Sequence, residues 1–272
     1  MTKKELYNNI KSKKSYLCVR QDSDIEKIPR HLLEYDDPIF EFNKRIIDAT
    51  SDFAIAYKPN LAFYESLGSS GFESLRKTID YIPNDIFKIA DAKRGDIGNS
   101  SRMYAKTFFE FFNFDAITLS PYMGQDSIEP YLKYKNKWII LLILTSNKGS
   151  NDFQKINLGS NTLYEEIIKK SLKWSEDNRI MYVVGANREK DIIKIRKLVP
   201  DHFLLIPGIG AQGGSLKNIS NLGFSKDCGL LVNNSRNIIY ADSSENFENK
   251  VNSEAKSIQI KMEILLEKNN LI

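Results

Sequence analysis

Cysteine and histidine are almost missing from these 272 residues, and each scarcity removes a class of chemistry. The two cysteines, Cys18 and Cys228, each stand within a short apolar segment. That setting describes buried, reduced thiols and no disulfide framework. The two histidines, His31 and His202, are isolated, so histidine-based acid–base chemistry is not expected. Long apolar runs are missing too. The longest, Trp138 to Leu144, is far short of the roughly 20 residues that carry a helix across a bilayer. The N-terminal stretch has no apolar core of a secretory signal, so the expectation is a soluble, cytoplasmic protein with no membrane partner. Nor does charge of one sign prevail: 39 Lys and Arg are scattered among 35 Asp and Glu. A nucleic-acid binder concentrates its basic residues on one face, and no such partner is expected. The densest basic cluster, Lys3, Lys4, Lys11, Lys13 and Lys14, reads as a solvated helix face.

What remains is an ordinary globular composition, 42% hydrophobic and 27% charged, with enough length to bury one large core. α/β barrels of about 250 residues commonly form one domain, and a single domain over residues 1–272 is expected. Short β-rich runs recur at Tyr16–Arg20, Phe53–Lys58, Ile86–Ala90, Ala116–Leu119, Trp138–Leu144, Met181–Gly185, Phe203–Ile206 and Gly229–Asn233. Between them lie segments with helical apolar spacing, such as Ser100–Phe112, Leu163–Trp174 and Glu189–Val199. Strand–helix alternation implies a parallel sheet, and eight repeats can close it into a (β/α)8 TIM barrel. Asp22, Lys58, Asp91, Lys93, Thr145, Gly208 and Arg236 then all fall at or just past a strand's carboxyl end, where barrel active sites are built. His202 falls beside a strand start, at the other end. The long segments after Arg20 and Leu144 are candidate lids.

Two groups of residues carry chemistry. In Asp91-Ala-Lys93-Arg-Gly-Asp96, a period of two puts Asp91 and Lys93 on one side of an extended chain. An isolated pair of this kind is more often a surface ion pair, but Lys58 ends a neighbouring apolar run and needs a carboxylate. Alternating Lys58, Asp91, Lys93 and Asp96 keeps each ammonium charged and leaves carboxylate to oppose an anionic substrate group. The second group is Pro207-Gly208-Ile-Gly210-Ala-Gln212-Gly213, a glycine turn that offers backbone N–H groups to phosphate. Its spacing matches the dinucleotide fingerprint, yet the following strand runs into Asn233, Asn234, Ser235 and Arg236 with no acid for a ribose. Glycine turns at the seventh and eighth loops of a barrel make a phosphate site instead, with Arg236 as the charged fork.

With these blocks assembled, and with Lys58-Pro-Asn, Pro121-Tyr-Met-Gly and Thr145-Ser146-Asn in the right order between them, nearly the whole chain resembles the orotidine 5'-monophosphate decarboxylase family in its longer sequence form. The resemblance implies a lyase that makes UMP from orotidine 5'-monophosphate without metal or cofactor, with Lys58, Asp91, Lys93 and Asp96 as catalytic residues. It implies a homodimer in which Asp96 and Ser100 reach the neighbouring site. It also implies that Asp22 binds ribose hydroxyls and that Thr145 or Ser146 contacts the pyrimidine. Gln212 and Arg236 would hold phosphate, beside Pro207, Gly210 and Ser235. Two departures from the family are Arg20-Gln21 before Asp22 and Ser100 where threonine is common, which bear on the ribose end and the cross-subunit contact. The alternatives are a metal-dependent sugar-phosphate decarboxylase or aldolase of the same superfamily and a non-catalytic nucleotide-binding barrel.

Overall fold

Most of the strand segments are continuously apolar over several residues rather than alternating, with polar residues gathered mainly at their carboxyl ends, as expected of strands covered on both faces. The computed structural model describes all residues except 176–177, 210–213 and 235, and the side chains of 234 and 236. It places eight parallel strands in sequential order around a closed barrel. They are β1 (Leu17–Gln21), β2 (Ala54–Pro59), β3 (Phe87–Arg94), β4 (Ala116–Leu119), β5 (Trp138–Leu144), β6 (Ile180–Val184), β7 (Leu204–Pro207) and β8 (Leu230–Asn234). The barrel closes where Leu17, Cys18 and Val19 of β1 pair with Val232, Asn233 and Asn234 of β8. Both cysteines are buried and unpaired, and burial pushes each thiol up to about 12, so neither is a nucleophile at neutral pH.

Most strands lie within a residue of the sequence expectation; β3 does not. It runs on from Ala90 to Arg94, and its pairing with β4 is interrupted between those two residues. The helix expected over Ser100–Phe112 is α-helical only over Gly98–Lys106 and continues as a π turn over Thr107–Phe111. There the Phe112 N–H donates to the carbonyl of Thr107 at 3.0 Å, and the wider turn buries Phe108 and Phe109 together.

The N-terminal helix, Lys3–Lys13, opens on a reciprocal capping box between Thr2 and Glu5. Its lysines are not simply a solvated face. Lys3 pairs with Asp227 at 3.1 Å, Lys13 donates to the carbonyl of Ser51 at 2.7 Å, and Lys14 pairs with Glu263 at 2.6 Å. Lys13 also reaches the carbonyl of Ala54, and Asn9 donates to that of Asp85. Apart from Glu263, which lies on the C-terminal helix Phe247–Lys268, these partners precede or start strands, so the helix covers the amino-terminal end of the barrel. His202 lies at that end, before β7, where burial and then Lys3 and Arg196 depress its pKa to about 4. No helix among the described residues is long and apolar enough to cross a membrane.

Candidate active site

Alternation along β2 decides where Lys58 points. Tyr57 sends its hydroxyl outward to Thr50 at 2.6 Å, and onto the carbonyl of Ile47 in the helix Pro38–Thr50. The next side chain therefore turns inward. There Lys58 Nζ donates to Asp91 Oδ2 at 2.5 Å, with side-chain exposures of only 4% and 7%. Lys93 Nζ donates to the other oxygen, Oδ1, also at 2.5 Å, but its side chain is 49% exposed and faces the opening. One carboxylate thus holds two ammonium groups, one sealed in the barrel and one available to a ligand. Burial pushes the Asp91 carboxyl up, but Lys58 and then Lys93 outweigh it and hold the group far below the usual carboxylate range.

The period-two expectation reached the right juxtaposition by the wrong geometry. Lys93 is not extended: its φ is +50°, a left-handed conformation that costs a non-glycine residue about 1–2 kcal/mol. The chain accepts it because β3 bulges there against β4, and the bulge re-aims the side chain over Asp91. Sequence reading missed the residue opposite. Buried Thr118 of β4 accepts the Lys93 N–H at 2.9 Å and lies 3.3 Å from Asp91 Oδ1. A threonine inside a buried strand was the available signal.

Asp96 does not join the cluster within one chain. Its Oδ1 accepts the N–H of Ile97 at 2.8 Å, and Ser100 is exposed on the first turn of the Gly98–Lys106 helix. Asp22, just past β1, is buried and ion-paired with Arg20. Burial raises its carboxyl above the ordinary value despite the cations Arg20 and Lys58. Asp22 lines a cavity of about 410 Å³ with Lys27, Phe63 and Tyr240. The Tyr240 hydroxyl donates to the Asp22 carbonyl at 2.5 Å and accepts the Asp24 N–H at 2.9 Å, fixing the start of the segment after β1. Arg20 thus reshapes this end of the mouth by engaging Asp22 directly.

After β5, Thr145 and Ser146 sit partly exposed at the mouth. Gln154 accepts the Thr145 N–H at 2.8 Å, Asn187 donates to the Ser146 carbonyl at 2.9 Å, and Arg188 donates to the Thr145 carbonyl at 3.3 Å. None of these three braces was legible as a functional residue: Gln154 folds back from nine residues along the same segment, and Asn187 and Arg188 come from the loop after β6. Pro207 ends β7, and Gly208 takes a φ of +99° that only glycine adopts freely. Gly210, Gln212 and Ser235 lie outside the described residues. Arg236 begins the short helix Arg236–Ile239 directly after β8, its side chain likewise outside the description. Among the described residues no three His, Cys, Asp or Glu side chains are placed to share a metal ion, and both oxygens of Asp91 are already engaged by lysines.

A closed (β/α)8 barrel with a lysine–aspartate–lysine cluster at its carboxyl-end mouth has the architecture of a barrel enzyme, with charged side chains where such enzymes build their active sites. The model of the family described as "Orotidine 5'-phosphate decarboxylase / HUMPS family" matches residues 35–247, and the chain belongs to that family. It is 55% identical over 270 residues to an orotidine 5'-phosphate decarboxylase of Phocaeicola vulgatus, covering 98% of this chain and 99% of the relative. A relative of the same name in Bacteroides fragilis is 56% identical over 266 residues, covering 96% of this chain and 97% of its own. Among solved structures, Leishmania donovani OMP decarboxylase superposes with a TM-score of 0.81 at 35% identity, covering 96% of this chain and 100% of that one. The UMP synthase of the same organism gives 0.86 at 37% identity; the match covers 97% of this chain but only 56% of the synthase.

Proposed function

We propose that this chain converts orotidine 5'-monophosphate to UMP and CO2, the last step of de novo pyrimidine nucleotide synthesis. It would act as a cytoplasmic homodimer of single-domain barrels spanning residues 1–272. The observation that carries the reading is the placement of Lys93, half-exposed and held 2.5 Å from a carboxylate that the buried Lys58 keeps ionised. The C6–carboxylate bond breaks, its electron pair stays on C6 in an orbital the pyrimidine ring cannot delocalise, and the Lys93 ammonium stabilises that charge and then protonates it. Asp91 faces the departing carboxylate. Two unit charges 4 Å apart interact by about 4 kcal/mol at an effective dielectric near 20. Repulsion therefore assists but cannot supply the roughly 20 kcal/mol that so slow a reaction demands of its catalyst. Asp22 is assigned to the ribose, Thr145 and Ser146 to the pyrimidine, and the turns of Pro207–Gln212 and Ser235–Arg236 to the phosphate.

The direct test is an ultraviolet assay of orotidylate consumption with and without EDTA. Full activity in chelator is the expected result. Activity restored only by Mg2+ would instead favour the metal-dependent relatives of this superfamily, and tight UMP binding without CO2 release would favour a non-catalytic binder.

Dimerisation is supported by an apolar surface around Asp96 and Ser100. Ile97 is 53% exposed and Tyr122 84%, with Met103 and Met123 exposed as well. Met123 also lies next to Gly95, so the loop after β4 meets the loop after β3. Exposed apolar side chains on these adjoining loops and on the helix after β3 support an interface here. In a dimer whose sites each take Lys93 from one chain and Asp96 from the other, mixing inactive Lys93→Ala and Asp96→Ala proteins creates one intact site per mixed dimer. With random pairing about a quarter of the parent activity returns. Recovery of none would place Asp96 and Lys93 in the service of the same chain's site.

A further inference from the structure

We propose that Thr118 is a positioning residue whose hydroxyl sets the angle between Asp91 and the reacting lysine. The β3–β4 ladder pairs Ala90 with Ile117 and resumes only at Arg94 with Leu119. Between these pairs β3 carries Asp91, Ala92 and Lys93, where β4 has Thr118 alone. A bulge of this size leaves the Lys93 N–H without a ladder carbonyl, and an N–H partly shielded from water needs another acceptor. Thr118 Oγ1 supplies it at 2.9 Å. The same oxygen lies 3.3 Å from Asp91 Oδ1 and 3.4 Å from the carbonyl of Ala90, so its single proton goes to one of these acceptors. One hydroxyl on β4 therefore anchors the backbone of the lysine across the bulge, and can reach the carboxylate of Asp91 as well. Thr118 is 1% exposed, and as a β-branched side chain it has little χ1 freedom, so the tie is rigid. Without it, the left-handed Lys93 would lose the partner that holds it and could relax toward the extended backbone, carrying its ammonium away from Asp91.

This inference rests on the proposed role of Lys93 and is tested separately from it. Thr118→Val keeps the shape and removes the hydroxyl; kcat is expected to fall between about tenfold and a hundredfold, with the orotidylate KM and the affinity for UMP within about threefold of the parent. Thr118→Ser restores the hydroxyl, and kcat is expected to return to within about threefold of the parent. A Thr118→Val enzyme with parental kcat overturns the proposal, as does an equal kcat loss in the valine and serine variants, which would point to the methyl. Should Thr118→Val fail to fold, Thr118→Ala against Thr118→Ser makes the same comparison without added bulk, and equal kcat in those two overturns it. A parent chain that releases no CO2 would instead sink the proposed function itself.

Discussion

Replacing Lys93 by alanine is expected to lower turnover by at least about 10⁴-fold, since one side chain serves both as the cation facing the developing carbanion and as the acid that quenches it. Of the two ammonium groups on Asp91, only Lys93 is exposed enough to meet a ligand; Lys58 is sealed behind the carboxylate. The diagnostic measurement is exchange of the C6 proton of UMP with deuterium from solvent, which runs the protonation step in reverse. The parent is expected to exchange and the variant not to. A Lys93→Ala protein that both exchanges and decarboxylates at the parental rate would remove this lysine from the chemistry. Substrate affinity is a weaker guide, because removing a cation beside Asp91 also changes how the anionic substrate is received.

Asp91→Asn is the second large effect, and it reaches stability as well as rate. Removing one partner of a buried ion pair leaves the other charge uncompensated and costs about 3–5 kcal/mol; here that partner is Lys58, only 4% exposed. For a chain of this length such a loss corresponds to a Tm lower by roughly 10 °C. The pH dependence follows from the direction of the shift. The folded pKa of Asp91 is depressed below its unfolded value, so the unfolded state takes up the proton first. The stabilisation from its charge is fully present above the unfolded pKa of about 3.9 and is lost as pH falls through the folded pKa. The parent should therefore lose Tm more steeply than Asp91→Asn as acid is added below about pH 4. Adding Lys58→Met to Asp91→Asn is expected to recover much of the lost Tm by removing the orphaned charge. An Asp91→Asn protein with parental Tm at neutral pH would show that Lys58 does not depend on that carboxylate.

These two residues also show where reading the sequence works. Lys58, Asp91 and Lys93 stood out because each falls at or just past the end of an expected strand, and a strand's carboxyl end in a barrel has one destination. The glycine turn after β7 was set apart from a dinucleotide site because the next strand lacks an acid. The failures share a different cause. The bulge that turns Lys93 left-handed, the threonine that accepts its N–H and the partners of the N-terminal lysines all join residues whose relation is set by register between strands or by segments returning from far away. Sequence spacing holds no record of that register.

The sequence by itself determined the alternation of strands and helices, the ends at which charge collects and the family to which the chain belongs. Those properties follow from local apolar periodicity and from short blocks of contiguous residues. Only the tertiary structure decided that one carboxylate serves two lysines, that one of them is sealed and the other open, and that Arg20 engages the neighbouring Asp22. The physical reason is that Coulomb energy, burial and hydrogen-bond geometry depend on distances across the barrel mouth, which are fixed only when β1 meets β8 and the ring closes.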